Sequence, residues 1–178
     1  MKPQVNACEV PDSSEIARSL NGADFHDCYQ LPVESNSLSA LEMYINIVRK
    51  TPAWVNSLMA MRNRVVGLVG LKNLGRLNDI QEKPVSAYRV GDRIGIFSLR
   101  YLSENEIILG DSDKHLNVNV SVCKQSNGEQ HSVAVSTVVY FHNTLGRVYM
   151  FFVAPAHKII APAVLAKGLK LMHSFEKV

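Results

Sequence analysis

The chain has 178 residues, of which 47% are hydrophobic and 20% charged, so it can bury a core without a metal or a disulfide. Its formal net charge of +3 gives little support to nucleic-acid binding. The cysteines, Cys8, Cys28 and Cys123, have no CxxC spacing, so neither a disulfide framework nor a zinc site is expected. The N-terminus lacks a signal-peptide pattern, and charges at 62–64 and 157–158 interrupt the most apolar stretches. A cytoplasmic protein with no membrane span is therefore predicted.

The chain is expected to begin with an irregular arm, residues 1–22, and to continue as one folded domain, residues 23–178. Apolar and polar side chains alternate from Asp24 to Leu31. This period of two predicts a first strand, which Pro32 is expected to end.

Two helices are predicted to follow this strand. Ser37 or Ser39 is expected to cap the first, which ends at Lys50. Thr51 is expected to cap the second. The apolar residues of the first helix recur at helical spacing: Leu41, Tyr44, Ile45 and Val48. The same spacing predicts a buried seam in the second helix: Trp54, Leu58, Met61, Val65 and Leu68. Arg62 is expected to face solvent.

From Ile94 onward the apolar period changes to two, which indicates a run of strands. The connections are short, and Asn127-Gly128 is a strong hairpin signal, so the strands are expected to form an antiparallel meander. The predicted strands are Ile94–Tyr101, Glu106–Gly110, Leu116–Cys123 and Gln130–His142. In the first of them, Phe97, Leu99 and Tyr101 are expected to share one face.

The stretch from Ala156 to Met172 predicts a helix with a wide apolar stripe. Pro155 and Pro162 are expected to start or kink it. Gly168 interrupts the stripe, which indicates either close packing of helix on sheet or room for a ligand. The order of elements therefore predicts an α+β fold in which a curved antiparallel β-sheet wraps around a long C-terminal helix and leaves a cavity between them.

Three segments carry a family resemblance: LGDSDKHLNVNVSV (Leu109–Val122), VSTVVYFHNTLGRVYM (Val135–Met150) and PAHKIIAP (Pro155–Pro162). They resemble a bacterial family of START-like domains of unknown function. The order of elements is similar to the START-like, helix-grip (SRPBCC) superfamily, which implies a polyketide cyclase, an aromatase-like enzyme or a lipid carrier. The family resemblance also implies an NAD(P)-dependent reductase partner, although the chain contains no GxGxxG motif.

Two polar clusters are candidate sites, each with a structural alternative. Asp111, Asp113 and His115 could converge on a metal or share a proton, or they could form a hairpin turn. His142 and Arg147 could meet a ligand at the mouth of the cavity, or they could belong to the corner that caps the last helix.

His157 and Tyr149 lie in the apolar C-terminal region, either as satisfied core groups or as ligand contacts. No resident metal or cofactor is predicted. The candidate ligand-binding residues are therefore His115, Tyr149, His142, Arg147, His157, Phe97 and Tyr101.

The expected function is binding of a small hydrophobic or amphipathic molecule in the cavity. One alternative is an enzyme of cyclase or dehydratase type that uses His142 or His157 as acid and base. Another is a non-catalytic module that presents its apolar C-terminal helix to a partner or pairs with itself as a homodimer.

Overall fold

In the part of the chain that the structure describes, seven antiparallel strands form one curved sheet, and three α-helices lie on its concave side. The computed structural model describes residues 4–34, 37–67, 75–81 and 83–175, without the side chains of residues 65, 66 and 169–175. The strands are β1 (Asn6–Ala7), β2 (Phe25–Val33), β3 (Arg93–Ile94), β4 (Phe97–Leu102), β5 (Glu106–Ser112), β6 (Leu116–Asn127) and β7 (Gln130–Phe141). The helices are α1 (Ala40–Arg49), α2 (Ala53–Gly67) and α3 (Thr144–Phe175).

The spatial order of the strands is β1-β2-β7-β6-β5-β4-β3, so the first long strand closes against the last. Asn127 pairs with Gln130, which leaves Gly128 and Glu129 as the hairpin turn and confirms the Asn-Gly signal. Gly128 has a φ of 62°, a conformation that glycine adopts without strain. The α+β class, the curved antiparallel sheet and the C-terminal helix are thus confirmed.

Helix α1 is the best-specified helix of the fold. Ser39 caps it, because its Oγ accepts a hydrogen bond from the Glu42 backbone N–H at 3.3 Å. The Glu42 carboxylate in turn accepts from the Ser39 N–H at 2.8 Å, which completes a capping box. The predicted apolar face of α1 is buried against the concave side of the sheet, as expected: Leu41, Tyr44, Ile45 and Val48.

Helix α3 is continuous over 32 residues, and Pro155 and Pro162 both lie inside it. Gly168 packs closely, as one alternative predicted, but against α1 rather than the sheet. A Cβ at this position would lie 2.7 Å from the Cα of Ile47. Within the described residues, Thr144–Gly168 is long and apolar enough to cross a membrane by length and composition, and only 11% of its most apolar window is buried. The charges at 157–158 therefore do not prevent α3 from meeting this criterion.

Two predicted strand boundaries are wrong. Pro32 does not end β2; it lies within that strand, beyond the two residues that pair with β1, where the open edge tolerates a missing N–H. The predicted strand Ile94–Tyr101 is two strands, because the chain turns at Gly95, which has a φ of 63°. A Cβ at Gly95 would also lie 2.3 Å from the Leu77 carbonyl oxygen.

Tyr101 does not share a face with Phe97 and Leu99. Leu99 pairs with Leu109, whereas Tyr101 pairs with Ile108, so a β-bulge at Arg100 adds one residue to β4. The extra residue shifts the alternation by one and turns Tyr101 to the convex face of the sheet. The prediction assumed an uninterrupted period of two, which the bulge breaks.

Helix α2 begins differently from the prediction. The Thr51 hydroxyl donates to the Val48 carbonyl oxygen at 2.7 Å, so it closes α1 instead of capping α2. Among the described side chains of α2, Val55 is fully buried, whereas the described residues of the predicted seam face outward, with Trp54 45% and Met61 59% exposed.

The buried side of α2 is therefore rotated by one residue from the predicted seam, to Val55, Met59 and Arg62. Leu58 is exposed together with Trp54 and Met61, while the side chain of Val65 and the whole of Leu68 lie outside the described residues. Arg62, expected to face solvent, is half-buried.

The described part of the N-terminal arm is packed on the sheet. A short 3₁₀ helix, Glu15–Ser19, is held at its start by the buried carboxylate of Glu106, which accepts from the N–H groups of Glu15 at 2.6 Å and Ile16 at 3.1 Å. Ser121 Oγ donates to the same carboxylate at 2.7 Å. Ile16 is fully buried against Cys28 and other convex-face residues, so the predicted irregular arm covers the second side of the sheet.

We expect Gly168→Ala to lower the free energy of unfolding by about 1–3 kcal/mol, because the new Cβ collides with the α1 backbone. Gly67→Ala is the matched control, since no atom of the described residues lies within 4 Å of its Cβ position, and it should leave stability unchanged or raise it by up to about 1 kcal/mol. Urea unfolding followed by circular dichroism measures both. Equal effects of the two substitutions would contradict the close approach of α3 to α1.

Candidate functional site

A cavity of about 160 Å³ lies between the concave face of the sheet, α2 and the first half of α3. Its walls are mainly apolar, and strands β2, β4, β6 and β7 contribute to them together with α3. The principal apolar wall residues are Phe25, Phe97, Val118, Val120, Val139 and Met150. Phe97, which the period-two pattern placed on one strand face with Leu99, lines this cavity, whereas Leu99 packs in the hydrophobic core.

Two larger grooves, of about 760 Å³ and 460 Å³, lie elsewhere on the surface. Polar residues such as Gln30 and Ser132 line the first, and Ser103 and Lys124 line the second. Ligand sites in proteins are predominantly apolar with a few convergent polar groups, so the smaller cavity under α2 and α3 is the better candidate.

One end of the cavity holds a carboxylate–imidazole pair. Nδ1 of His157 on α3 lies 2.9 Å from Oδ2 of Asp27 on β2, and the Phe25 ring meets the imidazole edge-on with centroids 6.4 Å apart. When Asp27 is ionised, Nδ1 must donate this hydrogen bond, so a neutral imidazole presents Nε2 as an acceptor. The pair can therefore orient a ligand hydroxyl or exchange a proton with it.

Asp27 also carries an unused acceptor. Its Oδ1 is buried and has no hydrogen-bond partner among the described residues. A buried carboxylate oxygen normally accepts at least one hydrogen bond. Asp27 itself is not among the residues that line the cavity, so it acts on this end of the cavity through His157, whose imidazole it holds.

Tyr149 and Arg62 form a second polar pair in the cavity wall. Nε of Arg62 donates to the Tyr149 hydroxyl at 3.1 Å, and the guanidinium carbon lies 5.3 Å from the centroid of the tyrosine ring. This contact holds α2 against α3 over the cavity. The Tyr149 hydroxyl keeps its own proton as a donor for a ligand.

The cluster of Asp111, Asp113 and His115 serves a turn. Oδ1 of Asp113 accepts from the backbone N–H groups of His115 at 2.7 Å and Leu116 at 3.0 Å, which is the Asx-turn alternative. Both aspartates also line the cavity. Among the described residues, no group of three or more histidine, cysteine, aspartate or glutamate side chains could hold a metal ion.

His142 and His115 meet in the corner between β7 and α3, outside the cavity lining. Nδ1 of His142 lies 3.0 Å from the Asp113 carbonyl oxygen, and Nδ1 of His115 accepts from the Asn143 amide at 3.1 Å. Asn143 Oδ1 accepts from the Gly146 N–H at 3.1 Å and so caps α3. Arg147 is exposed on the first turn of α3.

The structure thus divides the predicted site residues into three groups. Phe97, Tyr149 and His157 line one cavity. His115, His142 and Arg147 lie at the adjoining corner, and Tyr101 lies on the opposite face of the sheet.

Sequence reasoning missed Arg62, which lines the cavity, and Asp27, which holds the cavity residue His157. The signal for Asp27 was available, because an acidic residue occupied an inward position between Phe25 and Tyr29. No local signal identified Arg62, since its orientation depends on how α2 lies on α3.

The fold and cavity define an α+β protein with a helix-covered sheet and an apolar cavity between the sheet and the helices. The family model described as Protein of unknown function (DUF2867) matches residues 19–164. The chain belongs to this family. Neither a curated protein nor a solved structure matches the chain.

Burial makes the inner cysteines poor nucleophiles. It raises the pKa of Cys28 to about 12 and that of Cys123 to about 11. A thiol is almost wholly protonated well below its pKa, and only the thiolate attacks. Neither residue is therefore suited to covalent chemistry at neutral pH.

At pH 8 we expect iodoacetamide to alkylate Cys28 on the order of 1000-fold more slowly in the folded protein than after unfolding in urea, because the folded thiolate fraction is that much smaller. Peptide mass spectrometry of timed samples measures the rates. The urea-unfolded protein at the same pH is the control. Equal rates in both states would show that Cys28 is neither buried nor perturbed.

Proposed function

We propose that the chain is a START-like, helix-grip domain that binds a small hydrophobic or amphipathic molecule between the sheet and α3. The observation that carries this proposal is the apolar cavity whose wall includes His157, held from behind by Asp27, and the Arg62–Tyr149 pair. The antiparallel sheet around a long C-terminal helix supports the helix-grip assignment. A cytoplasmic location, a bacterial origin, a reductase partner and self-pairing stay predictions.

The size of the cavity bounds the ligand. A volume of about 160 Å³ is close to that of dry cavities that accept a single benzene-sized molecule. Burying about 100 Å² of apolar ligand surface contributes about 2.5 kcal/mol, so affinity beyond the millimolar range needs the polar pairs as well. We therefore propose a single-ring amphiphile, or the end of a longer one.

The first experiment compares native with denaturing mass spectra of freshly purified protein. Retention of a ligand predicts an added mass that disappears on denaturation, and that mass would identify its chemical class. If no added mass is seen, the titration with p-cresol in the following experiment decides whether the cavity binds a single-ring amphiphile.

We expect p-cresol to bind the protein and Val120→Phe to weaken its binding about tenfold or more, because the larger side chain fills the cavity. Val90→Phe, the same substitution at an exposed turn, is the control and should leave binding unchanged. Isothermal titration calorimetry measures affinity, and circular dichroism verifies that each variant is folded. Undiminished binding by folded Val120→Phe would place the ligand elsewhere.

A cyclase- or dehydratase-type enzyme is the second candidate, because His157 and Tyr149 share one cavity and Asp27 orients His157. A positioned imidazole can remove the proton next to a carbonyl group. His142 lies outside the cavity lining, which leaves His157 as the candidate acid and base.

We expect the protein to accelerate exchange of the α-protons of cyclopentanone with D₂O, and His157→Gln to lower the enzymatic rate about 100-fold. His142→Gln is the matched control and should retain the rate. Proton NMR follows the loss of the α-proton signal. A rate equal to that of buffer, or equal loss in both variants, would argue for a binding protein without this chemistry.

A further inference from the structure

Helices α2 and α3 both present large apolar side chains to solvent, and these residues are together called the outer face. On α3 its residues recur along one side of the helix, and Phe151 is 76%, Phe152 69% and Ile159 69% exposed. Trp54 and Met61 extend it on α2. Monomeric soluble proteins seldom expose so many large apolar side chains together, so this face indicates an interaction surface.

The charge of these two helices is entirely of one sign. Together they hold six of the nineteen lysine and arginine residues of the chain and none of its sixteen aspartate and glutamate residues. The rest of the chain consequently has more acidic than basic residues. Arg147 and Lys158 are exposed and share one side of α3 with Phe151. The outer face thus combines apolar groups with positive charge.

We propose that this outer face docks on the surface of a membrane that contains anionic lipid. Phe151, Phe152 and Ile159 would enter the boundary between head groups and acyl chains, and Arg147 and Lys158 would contact lipid phosphates. Trp54 has the amphipathic ring that is enriched at this boundary. Apolar burial and electrostatic attraction then act on the same two helices.

A second copy of the chain is a poorer occupant of the face. A two-fold dimer places the same surface on both subunits, which would bring the basic residues of both copies together without an acidic partner on either helix. Anionic lipid instead supplies the missing negative charge.

The opposite side of α3 shows why the helix lies on a membrane rather than crossing it. His157 is hydrogen-bonded to Asp27, and Gly168 packs against Ile47, so one side of α3 is packed against the rest of the protein. A helix that keeps this side on the sheet can offer lipid only its outer half. Docking on the membrane surface therefore leaves the contacts of α3 with β2 and α1 intact.

The inner sides of the same two helices line the cavity, through Met59 and Arg62 of α2 and Tyr149 and Val153 of α3. Docking would therefore place the helices that cover the cavity against the lipid. An amphipathic ligand would then enter the cavity from the membrane, an inference that rests on the proposed function. Docking itself rests only on the outer face.

Vesicle co-sedimentation tests the proposal. The full chain should sediment with phosphatidylcholine vesicles that contain about 30% phosphatidylglycerol and much less with pure phosphatidylcholine. Raising NaCl from about 0.1 M to about 1 M should release most of the bound protein, because screening removes the electrostatic part.

Two double variants separate the apolar and the charged contributions. Phe151→Ser with Phe152→Ser, and Arg147→Glu with Lys158→Glu, should each lower vesicle binding at least about tenfold. The matched controls are Val90→Ser with Leu102→Ser, and Arg18→Glu with Arg100→Glu, which make the same changes on exposed residues outside the two helices and should retain most of the binding. Circular dichroism confirms that all four proteins are folded.

Three outcomes would overturn docking on anionic lipid. The first is absence of binding to anionic vesicles, and the second is equal loss in test and control variants. The third is a dimer in light scattering that the phenylalanine variant dissociates, which would assign the face to a second copy. Protein that stays bound to vesicles in both high salt and alkaline carbonate would instead show that α3 spans the bilayer.

Binding of p-cresol is measured without vesicles, so failure of docking and failure of the cavity proposal are distinguishable.

Discussion

The apolar concave face of the sheet must be covered, and the fold depends on α1 and α3 doing so together. Leu109, Val122 and Val133 are fully or almost fully buried there against these helices. Complete burial of an aliphatic side chain contributes about 1.5–3 kcal/mol, so the face could not stay open to water. The glycine at 168 allows α3 to approach α1 closely enough to seal one half of it.

The other half of the concave face is sealed less tightly, and this difference creates the candidate site. Helix α2 covers it through Val55, Met59 and the Arg62–Tyr149 contact. Proteins normally fill their interiors to crystal-like density, so a cavity at this point is a local departure that needs a reason. The half-buried Asp27–His157 pair beside it supplies one, because polar groups placed next to an apolar wall are costly unless they serve a contact.

The two sides of helix α3 differ in the residues they carry and in what they contact. Its inner side carries His157 and Gly168, which bind it to β2 and α1. Its outer side carries exposed phenylalanines and basic residues without any acidic residue. The high overall hydrophobicity of the helix therefore reflects two separate apolar surfaces, one facing the protein and one facing outward.

The amino-acid sequence by itself determined the elements whose pattern is local. The capping box of α1, the Asn-Gly hairpin, the α+β order and the inward side of β6 all follow from spacing over a few residues. The predicted inward side was correct apart from Tyr101 on β4, so the apolar wall residues that the strands contribute were predictable as well. The acidic residue at an inward position of β2 was a further readable signal.

Only the tertiary structure decided the face of Tyr101, the orientation of α2 and the partner of His157. A bulge of one residue reverses a strand's faces, and a rotation by one residue changes the buried side of a helix, yet neither alters the apolar pattern appreciably. His157 meets a carboxylate that lies 130 residues earlier in the chain, whereas His142 and His115 meet in a corner. Such pairings depend on how whole elements pack, and no local spacing encodes them.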